Sequence, residues 1–267
     1  MLTKYEDIKK CVSDTSTLIS SVKAVVPSDP RGTRRPSLNT DTPVHTPYRI
    51  ATDRTLKASR LKRLEPILGE HARREFQKVV DRGHSNVSTE FGAIFAAWVE
   101  VTWLNNEEDS TPNKEDVRFH SEKLYDMARA LFGKRRENVR DPETDPASSL
   151  LGERVNGEPI SEENLIDTLR QCLVVGMVTP PILFANIAAH LARDKALQQQ
   201  LREEPRLIPS AVEEFVRLYV PYCGFCRTAS HSIPLHDRKM NPGEPITMTY
   251  AAANRDPEVF ADPNELC

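Results

Sequence analysis

The residues best suited to chemistry lie in a long apolar stretch that runs from Leu165 to Arg193. In the middle of this stretch Thr179 is followed by Pro180 and Pro181. A proline inside a helix removes an amide donor and clashes with the preceding turn, at a cost of about 3 kcal/mol. We therefore predict that the helix opens near Gly176, beside the Thr179 hydroxyl, as a candidate site. A kinked core helix, or two helices meeting at an elbow, is the alternative.

The spacing of apolar residues indicates that this stretch is helical. They recur at helical spacing at Leu165, Leu169, Leu173 and Gly176, and again at Leu183, Ile187 and Leu191. The segment Cys172–Val178 is apolar on nearly every side, which is typical of a helix packed all round. Ser161 is suited to cap its N-terminus, and Glu162 and Glu163 favour the positive end of the helix dipole.

A second group of residues has spacing close to that of a zinc knuckle. It comprises two thiols and two imidazoles, at Cys223, Cys226, His231 and His236. Such side chains are the usual ligands of a structural zinc ion, so a small zinc-stabilised binding module is one hypothesis. The alternative is free thiols, since residues 226–235 also alternate like a strand.

Composition limits the class of protein. The chain has 267 residues, a formal net charge of −3 and five cysteines at irregular spacing. Near-neutral charge gives no reason to expect nucleic acid or membrane partners, and an odd cysteine count favours a reducing compartment. The polar N-terminus does not resemble a signal peptide, and no apolar run is expected to approach membrane-spanning length. We predict a soluble, cytoplasmic protein.

Hydrophobic periodicity predicts a mainly α fold with a small antiparallel sheet late in the chain (α+β). The predicted helices cover residues 5–21, 58–80, 88–104, 114–132 and 208–219, besides the long apolar one. A loop is predicted at 27–47, a solvated linker at 133–149, and strands at 226–235 and 246–250, with turns at 237–238 and 242–243.

Five short segments fall in one order along the chain. They read VHTPYR at 44–49, VGMVT at 175–179, EFVR at 214–217, RTA at 227–229 and ANRDP at 253–257. This ordered set resembles the soluble, bacterial-type cytochrome P450 family of heme-thiolate monooxygenases. The resemblance covers nearly the whole chain and implies a single partial cytochrome P450 domain over residues 1–267.

The resemblance implies a set of heme-binding residues. His45 and Arg49 match family positions that donate to the heme propionates, and Arg227 matches a third. Such donors suit carboxylates, because charge-assisted hydrogen bonds are strong and arginine presents a planar fork. Glu214 and Arg217 match a structural ion pair, and residues three apart on a helix can reach one another.

The apolar helix matches the family's oxygen-binding groove, where an acid and a threonine relay protons. Thr179 matches the threonine and is the implied catalytic residue, but Val178 occupies the acid position and Pro180 follows. Valine cannot carry a proton. Any relay is therefore expected to run through Thr179 and water, or through the substrate.

The chain departs from the family pattern at both ends. It stops at Cys267, before the glycine-bounded loop whose cysteine ligates the iron, and the family's first helix would precede Met1. Cys267 is poorly placed to substitute, since a ligand needs surrounding groups to orient it. Glu265 stands where the family commonly has arginine. These departures predict a fragment with weak or no thiolate-ligated heme and little turnover alone. The alternative from another class is a helical remnant that acts as an interaction protein without a cofactor.

For a complete protein, the resemblance implies heme-dependent oxidation of an organic small molecule, including those of secondary metabolism. Electrons would come from NAD(P)H through a ferredoxin or a flavin reductase. No nucleic acid or membrane partner is implied.

Overall fold

A computed structural model describes residues 1–21, 36–87 and 114–266, except for the side chains of residues 114–121, 177 and 178. The predicted helix at 88–104, residues 27–35 of the predicted loop at 27–47, and Cys267 therefore lie outside the described residues. The chain divides into two compact units. We call residues 1–28, 86–92 and 178–267 the sheet unit, and residues 29–85 and 93–177 the helical unit.

Helices dominate the described chain, as predicted. Their bounds are α1 Tyr5–Ser13, α2 His45–Thr55, α3 Ala58–Arg82, α4 Lys114–Glu137, α5 Pro146–Gly152, α6 Glu162–Arg193, α7 Lys195–Glu203, α8 Ile208–Tyr219 and α9 Tyr250–Ala253. A 3-10 turn at Pro205–Leu207 precedes α8. The bounds of α8 agree with the prediction, since Pro209 suits its first turn and ends the preceding segment.

The strands are short and antiparallel, which confirms the predicted fold class. They are β1 Leu18–Ile19, β2 Arg154–Val155, β3 Glu158–Pro159, β4 Gly224–Ala229, β5 Ile233–Leu235, β6 Arg238–Met240 and β7 Pro245–Thr249. One sheet has the order β1-β4-β7, and β2-β3 and β5-β6 form separate hairpins. The β4-β7 pair places Arg227 opposite Ile246 and Phe225 opposite Met248.

The first predicted helix was too long. It ends at Ser13, and Leu18 lies instead in β1, opposite Ala229. The carboxylate of Asp14 accepts hydrogen bonds from the backbone N–H of Thr17 at 3.0 Å and from the Ser16 hydroxyl at 2.9 Å. Such side-chain bonds to nearby backbone groups favour a turn over another helical turn.

The predicted strand at 226–235 is two strands. The segment from Ser230 to Ser232 separates β4 from β5, and the Ser230 hydroxyl donates to the carbonyls of Ser16 and Thr17 at 2.9 and 3.0 Å. Arg238, predicted in a turn, begins β6. The turn lies one residue earlier, where His236 has a positive φ of 51°.

The predicted linker at 133–149 is largely structured. Helix α4 continues to Glu137, and α5 starts at Pro146, where Asp145 accepts from the Ser148 N–H at 2.9 Å as its cap. Arg135 also binds Asp145 through two hydrogen bonds of 2.8 and 2.9 Å. Because these charges pair with one another, a highly charged segment here does not remain a solvated linker.

Helix α6 is continuous, so the predicted opening at Gly176 was wrong. Pro180 and Pro181 remove only two amide donors, and the neighbouring turns keep a single helix over Glu162–Arg193. The middle of the helix is also not packed all round, since Val175 is 47% and Ile182 40% exposed.

The prediction that no apolar run approaches membrane-spanning length was wrong for α6. The chain carries no Asp, Glu, Lys or Arg between Arg170 and Arg193, and an 18-residue window of α6 has a mean hydropathy of 1.9. By length and composition this helix could cross a membrane. Apolar core helices of soluble proteins meet the same criteria.

Each unit has its own hydrophobic core. In the helical unit, Tyr125, Ala128 and Phe132 of α4 pack with buried residues of α5 and of the first half of α6. In the sheet unit, α1 and β1 pack against Ile246 and Met248 of β7. Burial of these side chains drives the formation of both cores, at roughly 25 cal/mol per Å² of apolar area.

Gly224 lies where the backbones of β4 and β7 approach each other closely. A Cβ at this position would lie 2.1 Å from the carbonyl oxygen of Met248, which is backbone and cannot rotate away. We expect Gly224→Ala to lower the free energy of unfolding by about 1–3 kcal/mol, measured by urea denaturation. Gly133→Ala, in helix α4 where a Cβ meets nothing within 4 Å, is the control and is expected to be neutral or stabilising. Equal stability of both variants would contradict the packing described.

Candidate functional site

The sheet unit contains an open cavity of about 530 Å³. Its wall is formed by α1, the second half of α6, the C-terminal end of α8 and α9. Most of the lining is apolar, and the lining residues include Ile8, Leu183, Val216 and Val220. A concave, mainly apolar surface with a few polar groups is typical of a small-molecule or cofactor site.

Thr179 supplies one of those polar groups. It lines the cavity, and its Oγ1 is buried without a hydrogen-bond partner among the described residues. A buried hydroxyl left without a partner costs about 1–3 kcal/mol, so the position is unfavourable unless a ligand or water completes it. Pro180 and Pro181 follow at once, so the carbonyls one turn back receive no amide from them.

Arg227 lies on β4 in the same unit and is half-buried. Its Nη1 donates a hydrogen bond to the hydroxyl of Ser20, which follows β1. The Ser20 hydroxyl is neutral and does not offset the charge of the guanidinium, which has four N–H donors besides the one used here.

Tyr250 lines the cavity at the first position of α9, just beyond β7. Its ring contacts Phe225, with centroids 6.0 Å apart. Burial raises the pKa of the Tyr250 phenol, and the positive charge of Arg227 opposes that shift. The two side chains are therefore within electrostatic reach of one another.

His45 and Arg49 belong to the helical unit. His45 is the first residue of α2 and is half-buried. Arg49 lies one turn later, and its Nε is 3.0 Å from Asp53 Oδ1, with both side chains 58% exposed. An exposed pair at this spacing contributes only about 0.3–0.5 kcal/mol, so Arg49 could exchange this partner for another carboxylate at little cost. Their heme-binding role stays a prediction.

Glu214 and Arg217 contact each other on α8. Arg217 Nε lies 3.0 Å from both carboxylate oxygens, and Nη2 lies 2.9 Å from Oε2. The guanidinium, only 7% exposed, also donates to the carbonyls of Asn254, Pro263 and Glu265. Glu265, which stands where the family commonly has arginine, thus contacts Arg217 through its backbone carbonyl.

Asp256 joins α1 to the segment after α9. Its carboxylate accepts from the Tyr5 N–H at 2.9 Å and from the Glu258 N–H at 3.0 Å. The bond from Tyr5, aided by that from Glu258 and by the charge of Lys4, lowers the pKa of this carboxyl. Since Tyr5 begins α1, Asp256 acts as an N-terminal cap supplied from the other end of the chain.

The four residues of the zinc hypothesis do not assemble. Cys223 is exposed, whereas Cys226 is buried with its Sγ 3.4 Å from Thr247 Oγ1. His236 binds Asp7 at 2.8 Å, and His231 contacts Ser230. Within the part of the chain that the structure describes, no three His, Cys, Asp or Glu side chains could hold a metal together. The zinc module is therefore not favoured.

Sequence reasoning gave no role to Tyr250 or Asp256. Asp256 lies inside the quoted ANRDP segment, so its position was noticed, but its partner is about 250 residues away in sequence. Tyr250 ends a predicted strand, where an aromatic residue more often belongs to the core.

The buried Arg217 guanidinium should be important for stability. We expect Arg217→Met to lower the free energy of unfolding by about 3–5 kcal/mol, because it leaves Glu214 and three carbonyls without their donor. The control is Arg136→Met, whose partner Glu162 and own side chain are 55% and 47% exposed, with an expected loss below about 1 kcal/mol. Urea denaturation measures both. A similar loss in both variants would show that the Arg217 contacts are no stronger than a surface pair.

The Asp256 cap predicts a pH dependence. Its pKa is lower in the folded than in the unfolded chain, so its stabilising effect is full above the unfolded value, about 3.9, and is lost as pH falls through the folded value. We expect Asp256→Asn to be less stable than the unmutated chain at pH 7, and the difference to shrink as pH falls below about 4. Thermal unfolding from pH 3 to 7 measures this, with the exposed Asp237→Asn as control. A difference that is constant over this range would contradict the charged cap.

Known proteins are similar to this chain in sequence and in fold. The family model "Cytochrome P450" matches residues 65–266. Cyclomarin C epoxidase CymV of Salinispora arenicola is 23% identical over 99% of this chain and 72% of its own length. Mycinamicin IV hydroxylase/epoxidase of Micromonospora griseorubida is 30% identical over 67% of this chain and 42% of its own length.

Among solved structures, the cytochrome P450 PksS of Bacillus subtilis 168 superimposes with a TM-score of 0.84. The alignment covers 100% of this chain and 72% of that one at 22% identity, and it shows the shared fold. The family model matches well over half of the chain and includes α6, α8 and β4, which carry Thr179, Arg217 and Arg227. The chain therefore belongs to the cytochrome P450 family of monooxygenases.

Proposed function

We propose that this chain binds heme beside Thr179 and contributes to the oxidation of an organic small molecule. The single observation that carries the proposal is the Thr179 hydroxyl, buried without a partner among the described residues on the wall of a largely apolar cavity. When bound, heme supplies the activation of dioxygen, from which one oxygen atom enters the substrate.

The residues of the sheet unit fit such a group. The cavity offers an apolar wall for a flat macrocycle, and Thr179 offers a hydroxyl on that wall. Arg227 is half-buried, and within the described ranges its guanidinium donates to the neutral Ser20 hydroxyl, so it can also bind a carboxylate of a porphyrin. In this proposal Arg227 binds a heme propionate, and the same kind of contact is proposed for His45 and Arg49 of the helical unit taken by itself, as the family resemblance implies.

Thr179 acts as a hydrogen-bond donor and acceptor at the oxidation site. Val178 precedes it and carries no ionisable group, so the chain offers no carboxylate there to pass on a proton. The Thr179 Oγ1 would take its proton from water or from a hydroxyl of the substrate. Glu214 and Arg217 have a structural role in this scheme, since each is already bound within the protein.

The relatives indicate the class of reaction. Two of them are named as an epoxidase and as a hydroxylase/epoxidase, acting on cyclomarin C and mycinamicin IV. For this chain we propose hydroxylation or epoxidation of an organic small molecule, as in secondary metabolism. Electrons would come from NAD(P)H through a ferredoxin or a flavin reductase.

A hemin titration tests the proposal. We expect saturable binding to the purified chain, followed by the Soret absorbance, and about tenfold weaker binding by Arg227→Ala, which loses a charge-assisted hydrogen bond. Arg238→Ala, whose side chain is 73% exposed, is the control and should bind like the unmutated chain.

Absence of saturable hemin binding would contradict the proposal. It would favour the alternative of a helical interaction protein without a cofactor. Equal affinities of Arg227→Ala and Arg238→Ala would retain heme binding but remove Arg227 from the site.

A further inference from the structure

Tyr250 lies beside the face of the sheet that carries Arg227. Residues directly opposite in an antiparallel pair share a face, so Arg227 lies beside Ile246 and Phe225 beside Met248. Phe225 and Arg227, two residues apart on β4, therefore share this face. Tyr250 begins α9 directly after β7, and its ring contacts that of Phe225, with centroids 6.0 Å apart. Phe225 thus contacts the phenol ring and shares a strand face with the guanidinium.

Tyr250 is available as a hydrogen-bond donor. Its side chain lines the cavity, and its hydroxyl has no hydrogen-bond partner among the described residues. Burial raises the pKa of the phenol, so it stays protonated at neutral pH. A protonated phenol can donate to a carboxylate, whereas a phenolate would repel one.

We propose that the Tyr250 hydroxyl donates a hydrogen bond to the same carboxylate that Arg227 binds, a heme propionate in the cavity of the sheet unit. The inference rests on the proposed function and adds a residue that the sequence pattern did not indicate. Tyr250 is then a binding residue that fixes the orientation of the porphyrin.

Two donors of different kind suit a half-buried carboxylate. The Arg227 guanidinium supplies charge, but part of its donor set is used by Ser20. A carboxylate has about four positions that accept a hydrogen bond, and each one without a donor in a partly buried site lowers the free energy of binding. The neutral Tyr250 hydroxyl satisfies another without adding a further charge beside Lys9, which lines the same cavity.

The test compares hemin with hemin dimethyl ester, in which both propionates are esterified. We expect Tyr250→Phe to weaken hemin binding about tenfold, as for loss of one hydrogen bond to a charged group, and to leave binding of the diester unchanged within about twofold. Tyr219→Phe is the matched control, since that hydroxyl binds His190 Nδ1 at 2.7 Å in the same unit. It should bind both porphyrins like the unmutated chain.

A second measurement uses the unmutated protein. With tyrosine labelled by ¹³C at Cζ, the Tyr250 resonance, assigned by its absence from Tyr250→Phe, should shift on addition of metal-free protoporphyrin IX and stay in place with its dimethyl ester. The shift is read in the unmutated protein, and the variant serves only to assign the resonance.

The outcomes separate the two proposals. Equal hemin affinity of Tyr250→Phe and the unmutated chain, with no selective shift of the resonance, would overturn the role of Tyr250 and leave heme binding intact. Failure of the unmutated chain to bind either porphyrin would overturn the proposed function, and this inference with it.

Discussion

The buried guanidinium of Arg217 is the interaction on which the candidate site depends. It joins α8, through Glu214, to the backbone of the segment that follows α9, at Asn254, Pro263 and Glu265. Those same elements supply the cavity wall, with Val216 and Val220 on one side and Asn254 on the other. Because a charge in this position is stable only with all its partners, it fixes the distance between the two parts of the wall.

The cavity combines this fixed wall with a polar group that the fold leaves unsatisfied. Thr179 lies in a helix that continues through two prolines, and its hydroxyl finds no partner in the described chain. Other described side chains, such as Thr228 and Thr249, also have a buried hydroxyl without a partner, and Thr179 differs from them because it lines the cavity, where a ligand or water can complete it. This is why a threonine in an apolar helix indicates function more strongly than the apolar character of the helix itself.

Local signals made part of this architecture predictable from the sequence. Helix α8 was placed correctly because Pro209 marks its start and the apolar period is regular. Helix α5 was missed because it is short, and because the charges around it pair through Arg135 and Asp145. The continuity of α6 could not be predicted, since the free-energy cost of two lost amide hydrogen bonds competes with the stability of the rest of a long helix.

Long-range contacts account for most of what the sequence did not reveal. The bond from Tyr5 to Asp256 joins the two ends of the chain, and no local pattern marks it. The ordered segments, by contrast, identified the family before any contact was known, which agrees with the family model that matches residues 65–266. Order along the chain therefore predicted the fold and the family better than any single motif predicted a side-chain role.

A crystal structure of the chain grown with hemin tests the central claim most directly. The account predicts a porphyrin in the cavity of the sheet unit, with one face toward Thr179 and a propionate at Arg227. A porphyrin bound elsewhere, with Thr179 Oγ1 still buried and the cavity closed by protein side chains, would contradict it.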